Sequence, residues 1–148
     1  MKTIIVVGND KIGGSALQAL NGYSGSEKNS YYVDQSTNVR RLRKIISNGS
    51  LSVPLLGKMV LCEKLRSGHK PLKSTPVIRS NKDLAEIIRK KRPKEVILFR
   101  AGLIINSEVL SQGVKILNTH CARLPDYGGI GSIARALKDK EYNQSIGD

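Results

Sequence analysis

A doubly wound α/β fold with a mostly parallel sheet is what this sequence predicts, on three observations. Short apolar runs alternate with segments of helical periodicity along the chain, the pattern of strand–helix units that build a parallel sheet. The first run, Thr3–Val7, is β-branched throughout and stops at Gly8, as expected of a strand buried on both faces. The last run, Val114–Leu117, leads into Asn118 and, two residues on, His120. On a strand these two project to one side, at the carboxyl end where open α/β sheets bind ligands.

Taken in order, Thr3–Val7 is the first strand. The stretch G-N-D-K-I-G-G-S reads as a loop, and Ala16–Leu20 as a helix with Ser15 near its start. The loop is no P-loop, because Gly14 stands where the Lys must be, and it does not fit G-x-G-x-x-G. ATP and NAD are set aside on those grounds. A looser role remains, in which Asn9, Gly13 and Gly14 leave backbone N–H groups for an anionic substrate group at the helix N-terminus. The alternative is that the glycines serve only a tight turn.

Asn21–Ser30 reads as a polar surface loop, and Tyr31–Val33 as the second strand. Asn38–Ile46 follows the helical period through Val39, Leu42, Ile45 and Ile46, and Asn48 and Gly49 stop it. Pro54–Leu65 is a further apolar-rich helix, with Pro54 suited to its first turn. Ser67–Thr75 is a basic link carrying His69, to which no role is assigned. Pro76–Ile78 reads as a short strand. Asn81–Arg89 is an amphipathic helix capped by Asn81, with Leu84, Ile87 and Ile88 inward. Glu95–Phe99 is a buried strand, Asn106–Leu110 a short helix, and Ser132–Lys138 a last one.

At 148 residues, with 39% hydrophobic and 25% charged residues, the chain has the size and composition of one soluble domain, residues 1–148. No apolar run reaches the roughly 18 residues a bilayer span needs, and the start lacks a signal-like segment. The expectation is a cytoplasmic protein with no membrane partner. Cys62 and Cys121 make neither a disulfide framework nor metal-ligand spacing. Cys62 is expected in the core. Cys121 beside His120 is no nucleophile pair, since neighbours on a strand face opposite ways. The formal net charge is +13, and 17 of the 25 Lys and Arg fall within residues 36–100 against 4 acids. Such a field favours anionic partners. The basic run Arg89–Lys94 also complements the end of the preceding helix, which is reason enough for it in structural terms.

The run N-T-H-C-A-R-L-P-D-Y-G-G at 118–129, continued by Ile133, Arg135 and Leu137, resembles the folate-dependent formyltransferase family. That family includes glycinamide ribonucleotide, methionyl-tRNA and sugar N-formyltransferases. Its usual form is N-x-H-x-S-x-L-P-x-Y-x-G, so Asn118, His120, Leu124, Pro125, Tyr127 and Gly129 match, while Ala122 stands where the family has Ser. The resemblance implies a Rossmann-like fold, with 10-formyltetrahydrofolate as formyl donor and no metal. It also implies that Asn118 and His120 are catalytic. Leu103, Ile104 and Ile105 fall in the segment that borders the folate's pterin, and the loop of Asn9, Gly13 and Gly14 near the acceptor. The family's third catalytic residue, an Asp further downstream, and its later strands have no counterpart before Asp148. The chain is therefore expected to be a shortened member.

The chemistry agrees. An amine attacking a formyl carbon leaves developing negative charge on oxygen, which a donor amide and an imidazole able to be cationic near neutral pH can support. The expected acceptor is an anionic small molecule or a tRNA. An unfinished sheet edge adds a homodimer to the expected partners. The competing expectation is a catalytically impaired basic α/β module that binds nucleic acid or another anion.

Overall fold

The computed structural model describes residues 2–22, 28–36, 43–44, 46–49 and 52–119. The chain forms two compact units, Met1–Leu117 and Asn118–Asp148, and only Asn118 and Thr119 of the second are among the described residues. The strands are β1 (Thr3–Gly8), β2 (Ser30–Asp34), β3 (Val77–Ile78), β4 (Glu95–Phe99) and β5 (Lys115–Thr119). They form one all-parallel sheet in the order β3-β2-β1-β4-β5. The helices whose bounds fall among the described residues are α1 (Lys11–Asn21), α2 (Val53–Leu65), α3 (Asn81–Lys91) and α4 (Ser107–Leu110). The strand order steps outward from β1 in both directions, which is the doubly wound arrangement the alternating pattern predicts.

The central strand explains its own composition. Ile4 and Val6 pack with Leu84, Ala85 and Ile88 of α3 and Val109 of α4. Ile5 and Val7 pack on the opposite face with Leu17 of α1 and Val33 of β2. With both faces covered, positions 4–7 of β1 leave no place for a polar side chain, and each buried aliphatic contributes about 1.5–3 kcal/mol. Helix α3 buries Leu84, Ala85 and Ile88, and Ile87 packs against the same cluster half-buried. Of the expected helix at Asn38–Ile46, the described residues Arg43, Lys44 and Ile46 are helical, and Gly49 follows at φ +72. The segment Ser132–Lys138 lies outside the described residues. No helix among those described is long and apolar enough to cross a membrane.

Three expectations are corrected. Helix α1 begins at Lys11, five residues ahead of Ala16, because Asp10 caps it by accepting from Gly13 N–H. The cap of α3 is Ser80, whose side chain accepts from Asp83 N–H. The Asn81 amide is engaged elsewhere. Cys62 is exposed, since α2, for all its apolar residues, buries none of them.

Candidate active site at the carboxyl rim of the sheet

Parallel strands end together, and the register puts Gly8 beside Asp34 and Val7 beside Phe99. Three connections therefore leave the same rim: Asn9–Asp10 after β1, Gln35–Ser36 after β2, and Arg100–Asn106 after β4. Gly8 permits their close approach, since a Cβ there would sit 2.7 Å from the Arg100 carbonyl oxygen.

Two carboxylates organise this rim. Asp34 is 6% exposed. Its Oδ1 accepts from Ser36 N–H at 2.7 Å, and its Oδ2 accepts from the N–H groups of Gly102 and of Leu103, the latter at 3.0 Å. Three backbone donors thus satisfy a group that would otherwise be costly to bury. Asp10 divides its oxygens in the same way. Oδ1 accepts from Gly13 N–H at 2.7 Å, while Oδ2 receives Arg100 Nε at 2.9 Å and Nη2 at 2.5 Å. Arg100 holds this fork in the left-handed region, at φ 56.

The connection after β4 is pinned again from α3. Asn81 Nδ2 donates to the Ile104 carbonyl at 2.9 Å, and its Oδ1 accepts from Asn106 N–H at 3.1 Å. Asn106 in turn caps α4. Backbone groups at 102, 103, 104 and 106 are therefore all engaged, although the segment belongs to no helix or strand. Leu103 and Ile105 pack against the core. Ile104, between them, is 71% exposed.

The start of α1 is not an open anion cradle. Lys11 N–H donates to Glu63 Oε1 at 2.7 Å, Gly13 N–H is held by the Asp10 side chain, and Gly14 N–H bonds to the Asp10 carbonyl at 3.0 Å. The glycines serve close packing. A Cβ at Gly13 would meet the Gly8 carbonyl oxygen at 2.0 Å, and one at Gly14 the His69 carbonyl oxygen at 1.9 Å. The expectation of free N–H groups at Gly13 and Gly14 is thereby corrected. Asn9 is exposed between β1 and α1, and Asn118 is exposed on β5. His120 lies outside the described residues, as do Cys121, Ala122 and the remainder of the motif through Gly129.

The chain is 27% identical over 95 residues to the methionyl-tRNA formyltransferase of Dictyoglomus turgidum, a stretch covering 61% of this chain and 30% of that protein. Glycinamide ribonucleotide transformylase 1 of Symbiobacterium toebii matches its fold with a TM-score of 0.50 at 18% identity, over 94% of this chain and 60% of that one. The chain resembles the formyltransferases in sequence and fold. A phosphoribosylglycinamide formyltransferase of Coxiella burnetii aligns with a TM-score of 0.49 at 15% identity, over 95% of this chain and 60% of that one. The chain thus spans less than two thirds of the length of each of these proteins. No protein-family model matches it.

Within this formyltransferase-like fold, the network of Asp10, Asp34, Asn81 and Arg100 escaped sequence reasoning. Asp10 carried a usable signal, a cap residue directly ahead of a helical stretch. Asp34 and Asn81 carried none, because their partners lie 68 and 23 residues away.

Proposed function

We propose that the chain transfers a formyl group from 10-formyltetrahydrofolate to the amine of an anionic acceptor, whether phosphorylated, nucleotide-linked or borne on tRNA. The observation that carries this reading is the likeness to a methionyl-tRNA formyltransferase over 95 residues of a chain with a formyltransferase-like fold.

When bound, the folate supplies an activated formyl carbon. Its candidate contacts are Leu103, Ile104 and Ile105. The exposed Ile104 side chain stands on backbone already held by Asp34 and Asn81, an apolar and preorganised edge that fits a flat heteroaromatic ring. Asn118 donates its amide N–H to the formyl oxygen, where negative charge gathers as the acceptor nitrogen attacks. His120 supports the same oxygen as a donor and, through a neutral ring nitrogen, takes up the proton that the acceptor nitrogen loses. A carbon–nitrogen bond to the acceptor forms, the bond to the folate nitrogen breaks, and the proton ends on that nitrogen. The excess of cations over acids in residues 36–100 favours an acceptor bearing phosphate.

The test is ligand-induced stabilisation followed by turnover. A folate analogue at 100 times its dissociation constant should raise unfolding stability by about 2.7 kcal/mol. His120→Ala should abolish formyl transfer while leaving the melting temperature of the free protein unchanged. Absence of any shift at saturating folate would overturn the reading in favour of the non-catalytic anion-binding module.

A further inference from the structure

At the opposite end of the sheet, where α3 hands over to β4, lies an open cavity of about 520 Å³. Ile88, Arg89, Arg92, Pro93, Lys94 and Gln112 line it, together with Gly113 and Val114. Three of these residues are cations, and no acidic residue is among the described lining. The nearby carboxylate of β4, Glu95, accepts from Thr3 Oγ1 at 3.2 Å. Gln112 spends its amide N–H on the Ala85 carbonyl at 3.1 Å. Arg89, Arg92 and Lys94 therefore supply the charge of this cavity.

The dipole of α3 accounts for part of the cluster only. Cations in the last turn of a helix are stabilising, which covers Arg89, and Lys91 is further engaged with Ser30 Oγ at 2.9 Å. Lys94 lies beyond the cap and outside that last turn. Arg92 is the cap itself, in the left-handed region at φ 45, where Gly or Asn is the unstrained choice and a long side chain is disfavoured. A guanidinium is held there against the local backbone preference, at the lip of a concave surface that repeats its charge twice. A left-handed arginine at a cleft is grounds for a functional hypothesis.

We propose that this cavity is a binding site for a phosphate group, carried by a free phosphorylated molecule or by an RNA backbone. Arg89 and Arg92 offer forked N–H donors suited to phosphate oxygens, and Lys94 a point charge beside them. The site lies at the amino ends of β1 and β4, away from the carboxyl rim, and does not depend on the formyl-transfer reading.

The test compares two double variants that each lose two positive charges: Arg89→Ala with Arg92→Gly in the cavity, and Lys58→Ala with Lys73→Ala outside it. Inorganic phosphate is titrated by calorimetry, and a fluorescent single-stranded RNA 12-mer by anisotropy across salt concentrations. The cavity variant should weaken binding of at least one probe roughly tenfold more than the control variant does. If RNA is the source, its log K against log salt slope should also shrink by about 0.7 for each phosphate that the variant no longer neutralises. If the source is a free phosphate, phosphate binding alone should fall selectively. Arg92→Gly removes left-handed strain, so this variant should melt no lower than Arg89→Ala alone, which separates loss of binding from loss of fold. Equal weakening by the two variants would assign binding to the overall field and overturn the proposal. So would failure of the parent protein to bind either probe.

Discussion

Helices α2 and α3 are alike in length and design, yet they stand at opposite extremes of burial. Both are capped by a serine whose side chain accepts from an N–H three residues on, and both carry Lys in the last turn. Helix α3 has the lower apolar content but places Leu84, Ala85 and Ile88 along one stripe, all buried against the sheet. Helix α2 is richer in apolar residues and buries none, with Leu61 55% and Leu65 77% exposed. The difference teaches that periodicity, not hydrophobic content, commits a helix to a core. What holds α2 is polar. Lys11 Nζ donates to the carbonyls of Lys64 and Arg66 at 2.8 and 2.5 Å, and Lys11 N–H reaches Glu63.

The two helices should differ most in their response to losing a leucine. Leu84→Ala should cost about 2–5 kcal/mol, because a fully buried side chain leaves a cavity. Leu61→Ala, in the more apolar helix, should stay within about 0.5 kcal/mol of the parent. Urea unfolding of both variants checks this, and equal losses would mean that α2 is packed after all.

The caps come next. Ser80→Ala should cost about 1 kcal/mol, since α3 unfolds only with the core it helps to form. Ser52→Ala should cost less globally and should show itself as faster hydrogen exchange at the start of α2. Exchange measured by mass spectrometry on peptides 52–66 and 80–92 distinguishes the two.

The smallest effect is a pH dependence confined to α3. The N–H of Arg79 donates to Asp83 and holds its carboxyl below the ordinary 3.8; burial opposes this, and hydrogen bonds from Ser80 add to the lowering. A carboxyl whose pKa is lowered on folding stabilises the protein above its unfolded pKa. That contribution is lost as pH falls through the folded value, from about 4 downward. Asp83→Asn should therefore melt below the parent at pH 7 and converge with it toward about pH 2. A constant gap across that range would place the role of Asp83 in hydrogen bonding alone.

The same contrast shows what was legible along the chain. Strands β1 and β4 were readable because a buried parallel strand leaves a continuous apolar run, and α3 because its stripe repeats every three to four residues. The beginning of α1 was not. Gly13 and Gly14 suggest a loop by propensity, yet they lie in the helix that Asp10 caps, where β1 and the link at His69 approach too closely for any Cβ. At the rim, Leu103–Ile105 could be singled out by resemblance. Nothing near them in the chain announced that Asp34 and Asn81 hold their backbone.

By itself, the sequence determined the α/β class, the parallel sheet and the likeness to formyltransferases, because each is written in local periodicity or in one contiguous motif. The tertiary structure alone decided which apolar helix is buried, which residues cap α1 and α3, and which carboxylates fix the rim. It also decided that Arg89, Arg92 and Lys94 share one cavity with the turn at Gly113. These outcomes depend on groups brought together from distant points of the chain, and periodicity carries no record of partners so far apart.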